Sequence, residues 1–245
     1  MTTEKWLVPW RSDPAARARI VCFPYVGAGA SVFCEWSSDI PQGIDLYAVR
    51  LPGRERRYRE PLADALDDVV PAVADAICAS PLPCVLLGIC SGSILSFETA
   101  RYLDLLGRSP VHVVVASGAA PDTVPSDDKL SERPRDELFG WLASLGAVSP
   151  DMLRNTQLIN IAEPMVRADL RMVESYCASP EVQIASPLTA VYGRLDADLT
   201  ADAVEAWRCR TSGRFQFKAV DADHFLRGQG RKDVIRSLMS YLAND

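Results

Sequence analysis

Two rhythms of apolar and polar positions run along the chain. Short apolar runs at residues 18–23, 46–50, 84–88, 111–117, 188–192 and 215–220 predict β-strands. Between them, apolar residues recur at helical spacing. Leu62, Leu66, Val69, Val70, Val73 and Ile77 mark a helix over 62–79. A second helix over 93–106 is stopped by Gly107, and a third over 232–242 closes the chain. Strands separated by helices predict a mainly parallel sheet, and the unbroken apolar run 111–115 fits a sheet covered on both faces.

One stretch breaks this rhythm. From about residue 126 to 179, consecutive helices are predicted over 134–145, 150–153, 156–165 and 166–176, with no strand between them. The expectation is one domain over residues 1–245, with 122–185 as a helical insertion above the strand ends. Such an insertion can act as a lid that admits a substrate chain and excludes water. Apolar residues such as Phe139, Trp141, Leu142, Leu145, Met165, Leu170 and Met172 are placed to line its channel. Packing against each other accounts for most of them, so none is singled out as a substrate contact.

The chemistry concentrates where the run 84–88 ends, at Gly88-Ile89-Cys90-Ser91-Gly92. This is the spacing of a nucleophile elbow, in which a strand turns sharply into a helix and exposes the central side chain. The glycines let the turn close, and the N-terminus of the following helix favours a thiolate and later an oxyanion. Cys90 is therefore the candidate nucleophile. The chain has two histidines, His112 and His224. His112 falls inside an apolar run and reads as buried. His224 follows the strand 215–220 and is the candidate base, and Asp196, the acid just after the strand 188–192, would hold its tautomer, with Asp198, Asp221 and Asp223 as competing acids. The order nucleophile, acid, histidine is that of an α/β-hydrolase, so the predicted class is α/β, a mainly parallel sheet flanked by helices with a helical lid insertion.

Composition narrows the setting. At 48% hydrophobic and 24% charged residues the chain is ordinary for a globular protein. No apolar stretch is long enough for a membrane span, and the start lacks a basic-then-apolar signal, so a cytoplasmic location is expected. A net charge of −6 argues against nucleic acid as a partner. The seven cysteines have no metal-ligand spacing, so no metal or cofactor is expected. Arg54, Arg56, Arg57 and Arg59 form a basic run, read either as a contact for a phosphate or an acidic partner, or as a solvated loop paired with Glu55 and Glu60. Arg167, Asp169 and Glu174 read as structural pairs, and Trp36 and Trp207 as core.

The chain resembles the stand-alone type II thioesterases of polyketide and nonribosomal peptide biosynthesis. The resemblance covers nearly all of it. It rests on residues 21–29, on Leu51-Pro52-Gly53-Arg54-Glu55 with Glu60-Pro61, on the elbow, on Ser117-Gly118-Ala119-Ala120-Pro121, on residues 167–176, and on Gly193, Asp196 and His224. The resemblance implies Asp196 as the acid and an oxyanion hole made by the backbone N–H groups of Ser91 and Val26. It also implies acyl groups on the phosphopantetheine of an acyl or peptidyl carrier protein as substrates, with the enzyme a monomer. The family's elbow is usually G-H-S-M-G and its first loop F-P-H-A-G. Here Ile89, Cys90 and Ser91 fill the first, and Tyr25 and Val26 the second. Changes at several positions point to natural divergence rather than a laboratory replacement of serine.

A cysteine acyl-enzyme is itself a thioester, so exchange with a carrier-bound thioester is close to thermoneutral. That suits delivery to a second thiol or amine, while His224 can still activate water. Hydrolysis is the first expectation, transfer to a second carrier protein or another nucleophile the second, and a non-catalytic protein that docks synthase modules the third.

Overall fold

The computed structural model describes residues 3–121 and 128–242. A short helix α1 (Thr3–Trp6) leads into strand β1 (Leu7–Arg11). Strands β2 (Ala18–Phe23), β3 (Ile44–Val49), β4 (Cys84–Ile89), β5 (His112–Ala116), β6 (Leu188–Gly193) and β7 (Phe215–Val220) complete a seven-stranded sheet of order β1-β3-β2-β4-β5-β6-β7. All neighbours are parallel except β1, which runs antiparallel to β3. The α/β-hydrolase expectation is met: a mostly parallel sheet with helices on both faces.

Burial follows from position in the sheet. Every residue of β2, β4 and β5 is buried, because helices cover both sides, whereas β7 at the edge is half-buried throughout. Helices α2 (Val70–Cys78) and α3 (Ser91–Leu105) pack on one face with Phe97, Leu103 and Trp207. The 3-10 stretch Ala30–Asp39 and the last helix cover the other, with Phe33, Trp36 and Leu238. Trp36 and Trp207 are core, as expected.

Between β5 and β6 the described residues hold α4 (Arg135–Ser144), α5 (Pro150–Leu153) and α6 (Thr156–Glu174), with no named strand among them. They bury a small core of their own, Leu138, Phe139, Leu142, Ile159, Val166 and Leu170, which also encloses Val26. Residues 122–127 of the expected insertion lie outside the described residues. Helix α7 (Ala201–Glu205) joins β6 to β7, and α8 (Gln229–Leu242) ends the fold.

Three expectations need correction. The helix expected over 62–79 begins only at Val70, preceded by a 3-10 turn at Leu66–Asp68. Pro71, near the start of α2, suits the first helical turn, so Leu62 and Leu66 pack from the connection instead. The two helices expected over 156–165 and 166–176 are one, α6. Pro164 sits inside it, but Pro164 and Asn160, whose carbonyl loses its partner, are both exposed to water. Strand β1 was not expected; it carries Pro9 and is buried only at Leu7, as an edge strand can be.

His112 is buried on β5, hydrogen-bonded through Nε2 to Thr189 Oγ1 at 2.8 Å and stacked on Tyr241 at 3.6 Å between centroids. Burial, aided by Lys218 and Arg214, pushes its pKa down to about 4. The native state therefore resists the proton that the unfolded chain accepts near pH 6.5, and stability present above that pH drains away as the pH falls toward 4. From this residue alone the loss is about 2 kcal/mol at pH 5. Urea unfolding at pH 7.5 and pH 5 should show a smaller acid-induced drop for His112→Gln than for the parent; equal drops would refute this source of acid sensitivity.

Candidate active site

The residues that crowd the bend at Cys90 explain its sequence. Strand β4 ends at Ile89 and helix α3 begins at Ser91, so Cys90 alone makes the turn, with φ 54° and ψ −121°. That left-handed φ is strained for a side chain and is held by the surroundings. The Cys90 N–H donates to the Ala116 carbonyl at 2.8 Å, and the Ser93 N–H to the Cys90 carbonyl at 2.9 Å. A Cβ on Gly88 would overlap the Gly92 carbonyl, and one on Gly92 would overlap the carbonyls of Phe23 and Pro24. Strand end and helix start thus approach at backbone distance, which only glycine permits at both positions.

The loops after β6 and β7 bring the partners. His224 Nδ1 lies 2.7 Å from Asp196 Oδ2, both residues being buried. Asp196 Oδ1 accepts the N–H groups of Asp198 at 3.0 Å and Leu199 at 3.3 Å. Burial alone would raise the Asp196 carboxyl, but the hydrogen bonds from His224 and from those amides outweigh it and hold its pKa below the ordinary value. The competing acids are occupied elsewhere. Asp198 accepts from Trp141 Nε1, Asp221 pairs with Arg194, and Asp223 accepts from the Arg227 backbone.

His224 Nε2 is buried and has no hydrogen-bond partner among the described residues, yet it stands close enough to Cys90 for the sulfur to act on its protonation. Burial lowers the imidazole pKa. The hydrogen bond to Asp196 and the interaction with Cys90 outweigh burial and hold the ring well above the ordinary histidine range. Cys90, Ser91, Val26 and His224 open on one cavity of about 380 Å³. Its wall continues through Ile94, Ser117–Pro121, Leu130, Trp141, Leu170 and Tyr176, a mainly apolar surface of which Trp141 and Leu170 come from the inserted helices. Phe139 and Leu142 pack within those helices instead.

The basic run divides, correcting the reading of it as a solvated loop. Arg54 is buried and makes a bidentate pair with Asp169 of α6, at 2.7 and 2.6 Å. The same two side chains grip the loop after β2: Asp169 Oδ2 accepts the Gly27 N–H at 2.8 Å, and Arg54 Nη1 donates to the Ala28 carbonyl at 2.8 Å. Arg57 is also buried, pairing with Glu60 and lying over the Trp6 ring, while Arg56 and Arg59 remain exposed. Sequence reasoning treated Arg54 and Asp169 separately, because nothing local announces a pair 115 residues apart. It also passed over Ser117, whose only signal was its place in the Ser-Gly-Ala-Ala-Pro motif.

Sheet order, elbow and the loops after β6 and β7 define an α/β-hydrolase. Residues 18–241 match the thioesterase domain family, and the chain belongs to that family. It is 32% identical to the gramicidin S biosynthesis protein GrsT of Aneurinibacillus migulanus, over 97% of this chain and 94% of that one. Among solved structures it is similar to RedJ, a thioesterase of the prodiginine pathway in Streptomyces coelicolor, at 30% identity and TM-score 0.85, covering 96% and 95% of the two chains. It also resembles YbtT, a type II thioesterase of the yersiniabactin pathway, at 25% identity and TM-score 0.89, covering 98% of each.

Proposed function

We propose that the protein cleaves acyl thioesters borne by the phosphopantetheine of carrier proteins, through an acyl-enzyme on Cys90 that is released by water. The observation that carries this reading is the opening of Cys90 and His224 on one cavity with Asp196 bonded behind the imidazole, whose pKa its contacts with Asp196 and Cys90 hold above the ordinary value. The relatives' names, which place them in gramicidin S, prodiginine and yersiniabactin biosynthesis, support carrier proteins as partners.

The steps follow from the charges. A raised imidazole pKa favours the imidazolium–thiolate pair. The Cys90 sulfur attacks the thioester carbonyl, and the N–H groups of Ser91 and Val26 receive the oxyanion. The tetrahedral intermediate collapses, the carrier's sulfur leaves, and His224 gives it the proton. Having given its proton to the departing sulfur, the ring is neutral, and acylation has removed the negative sulfur that helped hold its pKa up, so it stays unprotonated and free to act as base toward water. It takes water's proton as the hydroxyl oxygen bonds to the acyl carbon. Expulsion of the Cys90 thiolate then restores the ion pair. Helices α4 to α6 act as a lid in this reading, since Trp141 and Leu170 wall the cavity and exclude bulk water.

Transfer is kept as a second reading on one observation, the sulfur itself. The Cys90 acyl-enzyme preserves thioester energy, so a second carrier thiol can compete with water. Intact mass spectrometry after incubation with an acylated carrier tests both. Hydrolysis predicts a transient acyl adduct on Cys90 followed by free acid. Transfer predicts movement of the label to a second carrier faster than acid appears. Absence of any adduct or acid, with Cys90 also inert to alkylation at neutral pH, would leave a non-catalytic docking protein.

A further inference from the structure

Ser117 stands out in the cavity wall. The register Ile89↔Ala116 between β4 and β5 makes Ser117 the sheet-edge neighbour of Cys90. Its backbone is held there by an N–H bond to the Val191 carbonyl at 2.9 Å, and it takes a left-handed conformation, φ 48°. Ser117 is fully buried, lines the cavity, and its Oγ has no hydrogen-bond partner among the described residues. A buried hydroxyl left unpaired is costly, and a strained residue at the mouth of a reactive bend needs a reason to persist.

The charges around it narrow that reason. Asp128, Lys129, Glu174 and Asp198 also line the cavity. Asp128 pairs with Arg133 and Lys129 with Glu132. Glu174 and Asp198 form no ion pair among the described residues; they accept hydrogen bonds from the Ser131 backbone and the Trp141 indole, and Arg133 acts on Glu174 from farther off. The mouth of the cavity therefore carries negative charge, from the exposed Asp198 and the half-buried Glu174, and the same mainly apolar wall holds an unused hydroxyl. An aliphatic acyl chain would cover the hydroxyl without pairing it, and an acyl chain ending in a carboxylate would be repelled.

Building on the proposed function, we infer that Ser117 is a specificity-determining residue that hydrogen-bonds an amino group close to the thioester carbonyl, so that the preferred acyl groups are aminoacyl. With the carbonyl between the Ser91 and Val26 N–H groups, the first carbons beyond it pass the edge residue next to Cys90. An ammonium group there donates to Ser117 Oγ and is drawn by Asp198 and Glu174. A site built to pair with a polar substituent discriminates sharply against the analogue that lacks it.

Two measurements test this. The first compares acylation of Cys90 by 2-aminobutyryl-, butyryl- and succinyl-pantetheine, read by intact mass. The amino compound should lead butyryl by about tenfold or more, with succinyl slowest. The second needs no turnover: in the Cys90→Ala protein, S-(2-aminobutyl)pantetheine should bind about tenfold more tightly than S-butylpantetheine, by calorimetry. In Ser117→Ala, and in Ser117→Gly, which the left-handed backbone accepts without strain, either preference should shrink to within about twofold, and Asp198→Asn with Glu174→Gln should shrink it further. The inference is overturned if the parent shows no amine preference in binding, or if the Ser117 variants weaken both ligands equally. Failure of every thioester to acylate Cys90 while the binding preference holds would sink the catalytic reading and leave this one standing.

Discussion

Replacing Cys90 by alanine should lower acyl release from a carrier-bound thioester by about 10³-fold or more, without measurable loss of stability. The size follows from chemistry: without the sulfur there is no covalent step, and only the oxyanion donors and bound geometry remain to assist water. Stability should hold because the bend is kept by backbone bonds of residues 90 and 93 and by the close approach of Gly88 and Gly92. The imidazole offers a companion test. In the parent protein its raised pKa keeps it charged through neutral pH, favouring the thiolate, so iodoacetamide should alkylate Cys90 at pH 6.5 at least about tenfold faster than in His224→Ala. Comparable release by Cys90→Ala, or alkylation indifferent to His224, would remove the covalent mechanism.

The second large effect concerns Arg54 and Asp169. Asp169→Ala leaves a buried guanidinium without its carboxylate and should cost about 3–5 kcal/mol, lowering Tm by roughly 6–20 °C. Replacing both residues by leucine should recover part of this, since two buried charges leave together. Recovery should stay incomplete because the Gly27 N–H and the Ala28 carbonyl lose their partners in either case. Activity should fall further than stability in the double variant, because that loop carries Val26, whose N–H is assigned to the oxyanion. Thermal unfolding and kcat measured side by side would separate the two; full activity in a stable double-leucine protein would show that the pair serves the fold alone.

How legible these features were depends on the range of the interactions behind them. Strands β2 and β7 could be read to the residue, since an apolar run in the first and an alternation of apolar and polar residues in the second are local signals. The elbow was legible because strand, glycines and helix start are contiguous. The Asp196–His224 contact was legible only in part: chain order and a strand end pointed to Asp196, but with four acids available the loop geometry was needed to show which one meets the imidazole. The start of α2 and the continuity of α6 through Pro164 were misjudged because packing and solvent exposure overrode local helix signals. The Arg54–Asp169 pair and the unsatisfied Ser117 hydroxyl were invisible for a plainer reason: each is defined by what lies opposite it in space, and sequence spacing carries no trace of that.

The crowding of Gly88 and Gly92 against neighbouring carbonyls has an evolutionary corollary. The corner is kept in shape by main chain and by the Ser93 hydroxyl, which reaches the Gly88 and Ala116 carbonyls, so the tip atom of the side chain it displays is structurally idle. Lineages could therefore exchange oxygen for sulfur there with little architectural penalty, altering what the covalent intermediate can be passed to while every surrounding strand and helix stays as it was.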